Sequence, residues 1–300
     1  MRGKIIESVP NISEGRRTDV VADVVRAVGG PGRRVIDYSL DKDHNRSVIT
    51  ILGEPDGLFA GIMNLIEKGV KLIDLRGHTG KHPRMGAVDV VPFIPVRDAT
   101  IEDCIELARR VGKRTADEYD IPVYLYEEAA TCPDRRNLAT IRKGEFEGFP
   151  EKISDPRWKP DFGRARVHPS AGVVAVGARE FLIAYNINLA TTDVQIAKKI
   201  AKAVRHSTGG LRYVKAMGLP LEGQGMVQVS MNLTNFRRTP ILRVFDMVKN
   251  EAARAGVRVV ESELVGMAPR QAIYDVAATA LQLESLSADK VVEDRIEDIA

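Results

Sequence analysis

Apolar residues in this chain alternate between a spacing near two and a spacing near 3.6, in the order strand–helix–strand–strand–helix–strand, and that order occurs twice. In the first pass, residues 4–9 predict a strand and residues 10–17 a polar loop. Val20, Val21, Val24, Val25 and Val28 then recur at helical spacing until Gly29-Gly30-Pro31-Gly32 ends the helix. Residues 35–38 and 47–52 predict strands on either side of the polar run Asp41-Lys42-Asp43-His44-Asn45-Arg46. A helix over 55–68 presents Leu58, Ile62, Leu65 and Ile66 on one side, and residues 70–75 predict the closing strand. The second pass predicts a strand at 181–188, a helix at 194–204, strands at 211–216 and 225–233, a helix at 240–255 and a strand at 257–261. A duplicated βαββαβ unit of the ferredoxin-like, or split βαβ, kind follows, which is an α/β (α+β) fold. The expected subdomains are residues 1–178 and 179–300.

Material between the two passes extends the first. Residues 90–96, a helix over 101–117 and residues 123–126 add to its sheet, and residues 131–161 predict helix and long loop. The charged tail beyond Ser287 predicts a surface helix. Such a chain needs no staples: 300 residues at 44% hydrophobic and 28% charged can bury a core without disulfide or metal. Cys104, at helical spacing with Ile101, Ile105 and Ala108, predicts a small buried hydrophobe, and with Cys132 the sole other cysteine no disulfide framework arises. No apolar leader opens the sequence and no apolar run nears the roughly 20 residues that span a bilayer, so a cytoplasmic protein away from membranes is expected. A net charge of +3, from 44 basic and 41 acidic residues spread along the chain, suits an anionic small substrate and gives no nucleic-acid footprint.

Chemistry concentrates in three places. The segment Gly77-His78-Thr79-Gly80-Lys81-His82-Pro83-Arg84-Met85-Gly86 carries two of the five histidines, four residues apart. Gly80 between them and Pro83 after them make this a loop, and no glutamate follows the first histidine as in a zinc protease, so a metal site is not expected. Imidazole suits proton transfer near neutral pH, yet a structural loop whose histidines bond carbonyls fits the residues equally. The connection 37–46 gathers Asp41, Asp43, His44, Asn45 and Arg46, which a solvated hairpin turn also explains. Residues 158–172 mix Trp158, Arg164, Arg166, His168 and glycines, suiting a flat heterocycle with an anionic tail as well as an interdomain linker. His206-Ser207-Thr208-Gly209-Gly210 follows a helix, so it is a helix end rather than a phosphate cradle.

Val9-Pro10-Asn11-Ile12-Ser13-Glu14-Gly15, the loop through Gly86 with Ala87-Val88-Asp89, Pro92-Phe93-Ile94-Pro95-Val96, Pro122-Val123-Tyr124-Leu125-Tyr126, Pro160-Asp161-Phe162-Gly163 and the run from Phe181 to Leu189 together resemble glutamate formimidoyltransferase. The likeness covers residues 5–267. It implies two ferredoxin-like subdomains with mixed sheets and a ligand tunnel between them. It implies transfer of a formimidoyl group between N-formimidoyl-L-glutamate and tetrahydrofolate, with tetrahydrofolate as co-substrate, no metal, a homodimer, and a place in histidine degradation. The cyclodeaminase part of the animal relatives is expected to be absent.

The family's catalytic histidine corresponds to His82, and its folate-binding stretch to Gly163, Arg164, Ala165, Arg166, Val167, His168, Pro169, Ser170, Ala171 and Gly172. Substrate-binding candidates are Asp41, Asn45, Arg46, Lys81 and Arg84, with Arg46 and Lys81 facing the carboxylates of glutamate. Two positions depart from the animal pattern. Ser39 stands where an acidic residue is expected, leaving Asp41 or Asp43 to assist His82, and His168 is atypical within the folate stretch. Two other readings stand beside this one: another folate-dependent one-carbon enzyme, a formyl transferase or cycloligase, and an RNA-binding ferredoxin-like protein. The second lacks the stacking aromatics such sheets use, with aromatics at 5% of the chain.

Overall fold

A computed structural model of the chain describes residues 3–81, 83–284 and 286–297. It divides into two compact units, Met1–Arg179 and Glu180–Ala300. The first unit begins Ile5–Ser8 (β1), Asn11–Ile12 (β2), Thr18–Val28 (α1), Arg33–Asp41 (β3), Arg46–Gly53 (β4), Pro55–Leu72 (α2) and Val88–Arg97 (β5). β1 and β2 are one strand interrupted at Pro10, which has no N–H for a ladder; its carbonyl accepts the Ile49 amide at 3.0 Å. Both pieces lie between β4 and β5, antiparallel to each, and β3 pairs with the outer edge of β4. Counting the interrupted strand as the first, the spatial order is fourth–first–third–second, that of a ferredoxin-like unit.

The expected strand over 70–75 is not there. α2 continues through Leu72, and the fourth strand is β5. The helical stripe Leu58, Ile62, Leu65, Ile66 runs on through Gly69, against Val88, to Ile73, so burial carries the helix past β-branched residues whose local preference is for a strand. The connection from α2 to the fourth strand is therefore residues 73–87, and it contains the histidine loop.

Beyond β5 the unit adds Ile101–Tyr119 (α3), Val123–Glu127 (β6), Leu138–Arg142 (α4), Glu145–Ser154 (α5) and Val174–Ala178 (β7). α3 opens on a capping box: Thr100 Oγ1 accepts the Asp103 amide and Asp103 accepts the Thr100 amide, at 3.2 and 2.8 Å. β7, a short strand of small residues that periodicity does not reveal, slots between β5 and β6, parallel to both. One face of this sheet packs on α1, α2 and α3 through Val21, Val24, Leu58, Ile62, Leu107 and Val111, with Cys104 fully buried among them. On the opposite face, α4 and α5 cover β5, β6 and β7 through Tyr124, Tyr126, Ile141, Phe149 and Ile153. Each such buried side chain contributes roughly 1.5–3 kcal/mol.

The second unit is Ile183–Leu189 (β8), Val194–Val204 (α6), Val214–Leu221 (β9), Met226–Leu233 (β10), Ile241–Arg254 (α7) and Val259–Val265 (β11), then Arg270–Ala280 (α8) and Val292–Glu297 (α9). Its antiparallel sheet runs β11-β8-β10-β9, again fourth–first–third–second. Ile187, Leu189, Ile200, Val204, Val229 and Val244 form its core. Here the connection from α7 to the fourth strand is residues 255–258. α8 is not foreseen from periodicity; the charged tail does become α9, whose Asp294 pairs with Arg270 and accepts from the Tyr274 hydroxyl. Among the described residues no helix is long and apolar enough to cross a membrane.

Candidate active site

The β3–β4 turn brings Asn45 into the left-handed region, with φ of 50°, where a short polar side chain is tolerated because it can bond locally. Asn45 is buried, and three chain segments meet on it. Its Oδ1 accepts the Gly15 amide at 3.0 Å, its Nδ2 donates to the Thr79 carbonyl at 3.0 Å, and its own carbonyl receives His78 Nε2 at 2.8 Å. Glycine is required where the segments touch. A Cβ at Gly80 would strike the His44 carbonyl, and one at Gly15 the Asp41 carbonyl and Arg46 amide. Ser13 and Ser47 complete the seam, donating to the carbonyls of Gly86 and Glu14. The buried Glu14 carboxylate accepts the amides of Arg16 and Arg17. Burial opposes its charge, but these amides and the Arg17 side chain hold it below its ordinary pKa.

Asp41 takes the His44 amide at 2.9 Å and His44 Nδ1 at 2.6 Å. Burial raises its carboxyl, and the His44 bonds with the Arg46 charge outweigh that, so its pKa lies below the usual carboxylate range. Burial draws Arg46 below the ordinary arginine value, opposed by Asp41 and by Asp89. Asp89, on β5, accepts the Met85 amide at 2.7 Å and Arg142 of α4 at 2.6 Å.

Within the loop, the Lys81 amide donates to the Asp43 carbonyl at 3.2 Å, and Lys81 is exposed. Arg84 is turned inward, at 7% exposure, with its guanidinium on Glu147 and Glu145 and its Nε donating to His78 Nδ1 at 3.1 Å. The two partners of His78 require the neutral tautomer with the proton on Nε2. His82 lies outside the described residues. A cavity of about 310 Å³ beside the loop is lined by Glu14, Arg16, Arg17, Asn45, Asp74 and His78, among others.

Residues 163–172 run from the end of α3 to the base of the loop. Arg164 and Arg166 are exposed and pair with Asp120 at 3.8 and 2.9 Å. The far end is knitted to both loop ends: the Ser170 carbonyl accepts the Leu75 amide, the Ala171 carbonyl the Ala87 amide, and the Met85 carbonyl the Val173 amide, each at 2.9 Å. His168 Nδ1 accepts the Ala171 amide at 2.9 Å, and burial lowers its pKa.

The sequence that builds this arrangement is similar to those of known proteins. The profile of the formiminotransferase domain, N-terminal subdomain, matches residues 5–179, and that of the formiminotransferase domain matches residues 184–299. The chain belongs to the formiminotransferase family. It is 46% identical over 290 residues to a glutamate formimidoyltransferase of Streptococcus pyogenes serotype M1, covering 96% of this chain and 97% of that one. With a glutamate formimidoyltransferase of Thermoplasma acidophilum it shares 47% identity over 303 residues, covering 99% and 98%. It is also 41% identical to the formimidoyltransferase-cyclodeaminase of Mus musculus over 94% of this chain, and spans about half, 53%, of that longer protein.

Within this formiminotransferase frame, the fold brings Asp41, Asn45, Arg46 and Lys81 to one end of the first sheet, beside the loop and the 168–172 end of the glycine-rich stretch. It sets Arg164 and Arg166 at the other end of that stretch, and it commits the Arg84 guanidinium to α5. Sequence reasoning passed over Asp89, Arg142 and Glu147. Asp89 was visible in the motif after the loop, whereas Arg142 and Glu147 carry no local signal and become relevant only through packing.

Proposed function

We propose that this chain is a glutamate formimidoyltransferase, passing a formimidoyl group between N-formimidoyl-L-glutamate and tetrahydrofolate, in histidine degradation. The observation that carries the reading is the identity of 46–47% over nearly the whole length of two chains of that name. The seam of loop, turn and glycine-rich stretch gives it a site. Residues 1–178 and 179–300 are its two subdomains, folate lies along Gly163–Gly172, and the enzyme is a cytoplasmic homodimer.

In the loading direction N5 of tetrahydrofolate attacks the formimidoyl carbon, a proton leaves N5, and a tetrahedral intermediate forms. Its collapse breaks the bond to the glutamate nitrogen, which takes a proton as it departs. His82 is the group that accepts the first proton and returns the second, one imidazole serving both steps near neutral pH. Asp41, held ionised, stabilises the cationic amidine carbon; His44, its hydrogen-bond partner, fixes its direction. Arg46 and Lys81 receive the carboxylates of glutamate. His82→Ala is expected to lower kcat by at least about 100-fold with folate binding kept. Transfer is followed as methenyltetrahydrofolate formed on acidification, and a variant retaining near-full kcat would remove His82 from the reaction.

A formyl transferase or cycloligase would show its preference when formylglutamate is supplied against formimidoylglutamate. The RNA-binding reading needs two or three exposed aromatics on a sheet, and among described strand residues Tyr38 alone is an exposed aromatic.

A further inference from the structure

Helix α5 reaches the histidine loop through one buried side chain. Glu147, in its first turn, takes Nη1 and Nη2 of Arg84 in parallel bonds of 2.7 and 2.6 Å, and Glu145 lies 3.3 Å from Nη1. The Phe146 amide also donates to the Arg84 carbonyl at 2.8 Å. This fork–fork pairing fixes the plane of the guanidinium, so that Nε faces the other way, onto His78 Nδ1. Nη2 reaches the His78 carbonyl at 3.3 Å, and His78 Nε2 continues to the Asn45 carbonyl. The chain of bonds Glu147–Arg84–His78–Asn45 thus joins the exit of the loop to its entry and to the β3–β4 turn.

We propose that Glu147 is a positioning residue for this loop, acting through Arg84, and that His78 is a neutral relay in the same chain rather than a second proton-transfer group. This rests on the reading above in which the loop carries His82. A proton on His78 Nδ1 would face the Arg84 N–H and set cation against cation, which is why the relay stays neutral. The Arg84 hydrogen bonds keep the Glu147 carboxyl below its ordinary value, so the anchor remains charged at working pH.

Steady-state kinetics of Glu147→Gln, His78→Gln and His78→Ala test it, alongside ¹⁵N resonances of His78 between pH 6 and 8. Glu147→Gln keeps shape and removes charge. It is expected to lower kcat about 10-fold with both KM values within about twofold, the signature of a misplaced group rather than a lost binding contact. His78→Gln keeps a donor for the Asn45 carbonyl and cannot titrate; it is expected to stay within about fivefold of the parent kcat, while His78→Ala falls further. In the parent, the His78 resonances show the tautomer with its proton on Nε2, donated to the Asn45 carbonyl. Full kcat in Glu147→Gln, or a His78→Gln as slow as His78→Ala, would overturn the proposal. The two layers are separable: an active His82→Ala defeats the assignment of the base, whereas a His78 whose resonances place the proton on Nδ1 in the parent defeats the relay.

Discussion

Asn45 spends both its amide oxygen and its amide nitrogen on chain segments that are distant in sequence, Gly15 on one side and Thr79 on the other, while sitting at a positive φ. Asn45→Ala would orphan a buried amide and a carbonyl and leave at a positive φ a residue that tolerates it less well than asparagine, costing roughly 2–4 kcal/mol. Asn45→Gly would be better by about 1 kcal/mol, because only the bonds are lost. Urea unfolding of the two variants measures both numbers. Glu7 offers a pH signature from the same sheet. Burial, partly opposed by Arg179, pushes its carboxyl to about 7. The folded state therefore holds this proton more tightly than the unfolded chain, whose value is 4.5. That contribution is complete below about pH 4.5 and is lost as pH rises through 7, about 3 kcal/mol in all. Glu7→Gln is expected to gain stability at pH 8 relative to the parent and none at pH 4, read from urea midpoints at each pH.

At the scale of elements, α6, β8 and β10 were legible because one face of each is apolar and the other polar, which makes periodicity a direct record of burial. By contrast, β9 and β11 begin three and two residues later than expected and expose Met217, Leu219, Leu264 and Val265. Two failures share a cause. Residues 70–75 read as a strand from their β-branched side chains, yet the helix is extended by packing of Gly69 and Ile73 on β5, a contact no local window contains. β7, Val-Ala-Val-Gly-Ala, has neither length nor alternation, since both of its faces are covered and both of its edges paired. For the site, the motifs exposed the loop, the turn and the glycine-rich stretch, but not how Arg84 is used, because an arginine looks the same in sequence whether it meets substrate or a glutamate of its own chain. The loop's close contact with the turn gives the element-scale prediction. Gly80→Ala would force the loop off the His44 carbonyl, and kcat is expected to fall about 10-fold or more. Activity that matches the parent would mean the contact is not needed for turnover.

Each unit of the whole molecule owns a hydrophobic core built from its own strands and helices. A fragment of residues 180–300 is therefore expected to unfold cooperatively by circular dichroism while catalysing no formimidoyl transfer, since the loop, the turn and the glycine-rich stretch all belong to the first unit. A broad, non-cooperative melt would show that its core depends on the other unit. The two units repeat one chassis, and the connection into the fourth strand differs: residues 73–87 in the first and 255–258 in the second.

β7 is the last strand of the first unit to be synthesised and lies in the interior of its sheet, between β5 and β6. Two of the bonds that fasten the histidine loop, from Val173 to Met85 and from Ala87 to Ala171, arrive just ahead of it. During translation the loop and everything before it leave the ribosome long before their fastening does. A nascent chain stalled before residue 170 would hold the whole ferredoxin-like core and a loop bonded to the turn and to α5, lacking only its bonds to residues 170–173. The loop thus receives its last fastening by a late strand insertion, and pausing ahead of that point on the messenger would delay that step without delaying the core.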